Sequence, residues 1–297
     1  MLIGHAQAQT QLATLLAQGR FPHALILHGP RGIGKRLLAQ TLATRLICGP
    51  AQAEPEEDMF GTSPAQPQTG EGGPLAPNTA SPQYAQLQAG SCPDYHVMEL
   101  EEGKKSIGIK QVQALLEILL RSADTARVVI VDSLDDLTAE AANTILKTLE
   151  EPRPGIYFLL VCHQLSAVLP TIRSRCRLLR LAPLSVQETE QVLKSIGEDP
   201  ALASLAAGSP GSVSGDAAKA MQQAVQAIGS GTQPPLNSPA VIPALMQYLA
   251  AQPPSLATAN AYAKLADLRR RQQAINLPLA LTNQTALAIA HVHTHAD

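Results

Sequence analysis

A mostly parallel β-sheet with helices on both faces, followed by all-helical units, is the fold class that this 297-residue sequence predicts. Three observations predict it. Residues 23–48 read as a short apolar run, a glycine-rich loop and a segment of helical spacing, the strand, loop and helix of a phosphate cradle. Further apolar runs of strand length then alternate with segments of helical period as far as residue 182. Beyond that point strand-like runs cease, and helical patterning is punctuated only by Gly, Pro and Ser clusters.

The first strand is "HALILH" (23–28), and "KRLLAQTLATRLIC" (35–48) leaves the loop with Leu38, Leu42 and Leu46 at helical spacing. Residues 50–91 break the pattern. Pro, Gly, Gln, Ala, Ser and Thr dominate there, the charges are all negative, and a disordered surface insertion is expected. Strands resume with "DYHVMEL" (94–100), "ARVVIVD" (126–132), "IYFLLVC" (156–162) and "RLLRLA" (177–182). A helix carrying Val112, Leu115, Leu116 and Leu119 lies between the first two. Another begins at a Thr138 cap, with Glu140 in its first turn, and stops at Pro152. The expected division is a sheet domain over 1–182, a small helical domain over 183–217 and a C-terminal helical domain over 218–297.

Composition narrows the function classes. Hydrophobic residues at 45% and charged residues at 15% describe a globular chain, and no apolar run is long enough to cross a bilayer. The first twenty residues lack the pattern of a secretory signal, so a cytoplasmic location without membrane partners is expected. A net charge of −2 leaves no overall electrostatic footprint for nucleic acid. Cys48, Cys92, Cys162 and Cys176 are widely spaced without a C-x-x-C pair, which favours buried thiols over zinc.

The chemistry concentrates in "HGPRGIGKR" (28–36). Gly29, Pro30, Gly32, Gly34 and Lys35 match a phosphate loop, whose backbone N–H groups and lysine grip phosphate oxygens. A hydroxyl residue should follow the lysine to hold magnesium, but Arg36 stands there. Asp132 ends its strand where an acidic residue would support the metal, yet Ser133 follows it where a water-orienting carboxylate is usual. Asp135 and Asp136 are the substitutes within reach, though turn residues of this kind are common. The expectation is a site that holds ATP weakly or not at all and does not turn it over.

"FPHALILHGPRGIGK" (21–35), "AANTILKTLEEPRP" (141–154), "LPTIRSRCR" (169–177) and "AAGSPGS" (206–212) together resemble the delta-prime subunits of the bacterial DNA polymerase III clamp loader, a family of the AAA+ class. The resemblance covers about residues 1–49 and 92–215; "RRRQQAINLPLAL" (269–281) extends it loosely. It implies an AAA+ domain, a helical lid and a collar domain. The implied role is a stator in a ring with gamma or tau and delta subunits, which places a sliding clamp on primed DNA while other subunits hydrolyse ATP. It further implies that Gly211 replaces the lid arginine that senses nucleotide, and that Arg175 is an arginine finger for a neighbouring ATP site. Arg173 would then orient the turn and Cys176 pack beneath it.

From spacing alone, "RSRC" (173–176) also reads as a solvated basic turn beside Arg177 and Arg180. Arg269 to Arg271 likewise read as a solvated helix face, with contact to DNA phosphates or a neighbouring subunit as the alternative. The family's four-cysteine zinc module is represented only by Cys48, with Cys92 at the far end of the insertion, so no zinc is expected. The competing readings are an ATP-hydrolysing AAA+ motor, either a gamma-like loader or a DNA-junction translocase, and more distantly a phosphate-loop kinase or transferase. Nothing supplies the clustered carboxylates of two-metal nucleotidyl transfer, so polymerase activity would belong to other chains.

Overall fold

The structure, a computed structural model, describes residues 2–294 except 52–72, 102, 105, 120–125, 231, 235, 237–240, 251, 253–254 and 276–277. The chain forms two compact units, Met1–Gly29 with Lys35–Leu181, and Pro30–Gly34 with Ala182–Asp297.

In the first unit the elements run α1 (Ala6–Ala17), β1 (Ala24–His28), α2 (Lys35–Cys48), α3 (Pro82–Gln88), β2 (Tyr95–Met98), α4 (Ile109–Leu119), β3 (Arg127–Asp132), α5 (Ala139–Glu150), β4 (Ile156–Cys162), α6 (Pro170–Arg173) and β5 (Arg177–Arg180). The strands form one parallel sheet in the order β2-β3-β4-β1-β5. Parallel strands require crossovers, and the helices that make them cover both faces, which is why β3 and β4 read as continuous apolar runs. Alternation divides the work. Val129, Val131, Phe158 and Leu160 pack with Leu115 of α4 and Ile145 of α5. Val128, Ile130, Leu159 and Val161 point to the opposite face, where α2 lies against β3 and β4 with Leu38 and Leu42 buried. Each such side chain contributes about 1.5–3 kcal/mol on burial.

Local signals place the helix ends. Thr138 Oγ1 accepts the Ala141 N–H at 3.2 Å and caps α5. At the amino end of β3, Arg127 donates from Nε and Nη2 to Asp94 Oδ1 at 2.9 and 2.8 Å, and from Nη1 to the Ile118 carbonyl at 3.0 Å. This pair is buried, with side chains 6% and 9% exposed.

The expected disorder of 50–91 needs correction over its second part, while 52–72 lie outside the described residues. Leu75 is buried, Pro50 bridges Pro77, and Asn78 N–H donates to the Gly49 carbonyl at 3.0 Å. Pro82 then opens α3, which packs against α2. Composition averaged over the whole window conceals this anchor. The expectation of buried thiols also holds only in part: Cys48 and Cys162 are buried, whereas Cys92 and Cys176 are half-buried.

The second unit contains α7 (Val186–Ser195), α8 (Ala203–Ala206), α9 (Asp216–Gly229), α10 (Val241–Ala250), α11 (Leu256–Ile275) and α12 (Leu279–Thr294). Ser185 and Glu188 form a reciprocal capping box that starts α7. Residues 241–246 of α10 are all buried, so this helix is the hub around which α9, α11 and α12 pack. Ala261, Ala286 and Ala290 are the small contacts on α11 and α12. Residues 183–217 and 218–297, expected as separate domains, share this one core.

Candidate phosphate-loop site and the Arg175 corner

The candidate site of the first unit lies at the carboxyl ends of β1 and β3, the edge where parallel sheets place ligands. The loop leaves β1 at His28 and enters α2 at Lys35. Gly34 has φ +94°, a conformation that an L side chain rarely adopts. Lys35 is buried, and its Nζ donates to the Gly29 carbonyl at 2.7 Å. Burial lowers the His28 pKa from its ordinary value, and the positive Arg180 and Lys35 lower it further.

Arg36 is the decisive side chain. Its Nη1 lies 3.0 Å from Asp132 Oδ2 and 2.6 Å from Glu99 Oε2. The carboxylate that would support a metal is therefore already paired with a guanidinium. Replacement of the hydroxyl ligand and neutralisation of Asp132 by the same residue leave a donor set that does not fit magnesium. Glu99 follows β2, and the register Met98 to Val131 brings it beside the end of β3.

The substitutes for the water-orienting carboxylate are differently engaged. Asp135 accepts the backbone N–H groups of His163 and Gln164 at 2.9 and 3.2 Å, tying the turn after β3 to the end of β4. Two amides on one carboxylate make Asp135 a structural brace rather than a free base. Ser133 is buried in a left-handed conformation, φ 77° and ψ 71°, and its carbonyl accepts Asp136 N–H at 3.0 Å. Such a conformation at a non-glycine residue stores on the order of 1 kcal/mol.

Within the second unit, Gly32 and Gly211 meet backbone to backbone. Gly211 N–H donates to the Gly32 carbonyl at 3.0 Å, and a Cβ on Gly211 would lie 3.0 Å from Gly32 Cα. Gly32 itself has φ +81°. Position 211 thus requires glycine for close approach, besides offering no guanidinium.

Arg175 stands just after α6, in the first unit. Its Nη1 donates to the Thr171 carbonyl and to Ser174 Oγ at 3.0 and 3.2 Å. Its Nη2 pairs with Glu150 Oε1 at 2.6 Å, with the Arg175 side chain 36% exposed. Three acceptors fix the guanidinium at the surface without burying it. Arg173 bonds Leu169 through its backbone N–H, while Glu150, Thr171 and Ser174 hold the Arg175 side chain. Arg173 thus takes part in the turn through its backbone N–H. Cys176 packs against the first unit's core as expected, and burial pushes its pKa to about 12.

Among the described residues no three His, Cys, Asp or Glu side chains are grouped to hold a metal ion, and no helix is long and apolar enough to cross a membrane.

The model of the family described as "DNA polymerase III, delta subunit" matches residues 4–62 and 65–185. The chain belongs to this family. Among curated relatives, the family member resembles DNA polymerase III subunit delta' of Pseudomonas aeruginosa, 34% identical over 211 residues that cover 68% of this chain and 58% of that protein. DNA polymerase III subunit delta' of Escherichia coli is 35% identical, with 65% and 54% covered. The chain spans about half the length of the curated relatives it matches. Among solved structures, a DNA polymerase III gamma subunit-related protein of Thermotoga maritima aligns at TM-score 0.45 and 16% identity, covering 95% of this chain and 98% of that one. The sheet order β2-β3-β4-β1-β5 and the glycine loop between β1 and α2 make the matched region a parallel α/β domain with a phosphate-loop sequence.

Proposed function

We propose that this chain is a non-hydrolysing stator subunit of a DNA polymerase III clamp loader. It would sit beside gamma or tau and delta subunits in the cytoplasm, help place a sliding clamp on primed DNA, and lend Arg175 to a neighbour's ATP site. The observation that carries the reading is the Arg36 to Asp132 ion pair, which sets a side-chain cation against the carboxylate a motor would use to support its metal. The engagement of Asp135 by two amides supports it against the motor reading, because one of the two replacement bases is occupied. ATP, if taken up, would meet Lys35 and the loop amides without a magnesium ligand at position 36.

Arg175 has the form a finger requires: always charged, forked, surface-exposed and held in one place. Such a residue is worth on the order of 10³–10⁵ in rate at the site it completes. In a reconstituted ring, Arg175→Ala should leave assembly intact and lower DNA-stimulated ATP turnover, while the isolated chain shows no turnover with magnesium and primed DNA. Unchanged turnover in the Arg175→Ala ring removes the finger from the mechanism. Turnover by the isolated chain that Lys35→Ala abolishes replaces the stator with a motor.

A further inference from the structure

The three consecutive arginines of α11 are not alike. Arg270 and Arg271 are exposed and lie 3.9 and 2.7 Å from Asp267. Arg269 was expected on the same solvated face, but it is only 3% exposed, and no carboxylate among the described residues pairs with it. Its Nη2 donates to Ser212 Oγ at 2.9 Å, and Nη1 has no partner among the described residues. Burial lowers its pKa to about 10.

The surroundings are rich in donors. Ser212 already donates its hydroxyl proton to the Ser209 carbonyl at 2.7 Å. Ser209 Oγ is fully buried and unpartnered, and so is Nε2 of Gln272, one helical turn beyond Arg269. Ser212 links Arg269 to the Ser209 backbone carbonyl, and Gln272 follows Arg269 by three residues on α11. Water would satisfy the hydrogen bonds but not the charge, since a buried guanidinium without a counter-charge is penalised by several kcal/mol. A planar fork and an amide from α11, with a hydroxyl from the turn at Ser209, suit an oxyanion with several oxygens.

We infer that the second unit binds a small phosphate-type oxyanion among Arg269, Gln272 and Ser209. Near-complete burial of Arg269 and Ser209 excludes a partner's side chain and limits the occupant to a compact anion. The site has a structural consequence. Ser209 and Ser212 flank Gly211, whose N–H is bonded to Gly32 at the tip of the glycine loop, so the anion braces the turn that holds this tip. It does not depend on the stator reading.

The test is thermal unfolding of the full 297-residue chain in inorganic phosphate, in ADP, and in chloride at matched ionic strength. Phosphate at about 100 times its Kd should raise Tm by about 5–10 °C, and Arg269→Met should reduce that response to below ~1 °C. A response to phosphate alone identifies a free anion, and a response to ADP alone identifies the phosphate of a nucleotide; either upholds the site. Absence of both responses overturns it, as does an equal response in Arg269→Met, which would mark a general salting effect. Should Arg269→Met not fold, phosphate titration of Gln272→Leu by calorimetry decides: several-fold weaker binding supports the site, and unchanged affinity overturns it.

Discussion

Arg127 in the first unit and Arg269 in the second are both buried guanidinium groups, and they are treated in opposite ways. Arg127 meets Asp94 at 2.8 Å and also bonds the Ile118 carbonyl. Arg269 meets one serine hydroxyl and no carboxylate among the described residues. The first unit closes its charges internally, and Arg36 with Asp132 and Glu99 continues that pattern at the phosphate loop. The second unit leaves one charge open, where an anion from outside the chain can complete it. Charges closed internally make a scaffold; an open charge makes a binding site.

The largest effect should come from opening the closed pair. Asp94→Ala removes the carboxylate paired with buried Arg127 and should destabilise the first unit by about 3–5 kcal/mol in urea unfolding. In chloride, Arg269→Met should stay within about 1 kcal/mol of the parent or stabilise it, because no ion pair is lost and an uncompensated charge is removed. Equal large losses for both variants would erase the contrast between the units.

A smaller effect sharpens the same comparison through pH. Burial lowers the His96 pKa below its ordinary 6.5, with Arg127 adding to the shift. The folded chain therefore binds this proton less readily than the unfolded one. Stability from this group is fully present above pH 6.5 and is lost as pH falls toward the depressed folded value. His96→Gln should flatten that part of the acid limb, measured by urea unfolding between about pH 8 and pH 5. An unchanged slope would remove His96 from the acid sensitivity of this ion-paired region.

Much of the first unit was legible because its signals are local. Gly34 before Lys35, Thr138 before α5 and the apolar runs of β3 and β4 each place an element from its own few residues. The replacement at position 36 and the glycine at 211 were also plain in the sequence. The partners of those residues were not. Glu99 reaches Arg36 only through the register of β2 on β3, and Glu150 reaches Arg175 only because α5 ends beside the turn after α6. Leu75 and Leu87, twelve residues apart in a Pro- and Gly-rich window, gave no periodic signal, so the ordered return through Leu75 and α3 was lost in the average.

The amino-acid sequence by itself determined a parallel α/β domain with a phosphate loop lacking its metal ligand, a surface arginine in "RSRC", and a helical remainder. Those features depend on backbone propensity, periodicity and residue type, which act over a few neighbours. Only the tertiary structure decided that Arg36 is neutralised by Asp132 and Glu99, that Asp135 is committed to backbone amides, and that Arg269 is buried apart from Arg270 and Arg271. Desolvation and ion pairing depend on which distant segments close over a charge, and one-dimensional order does not specify that closure.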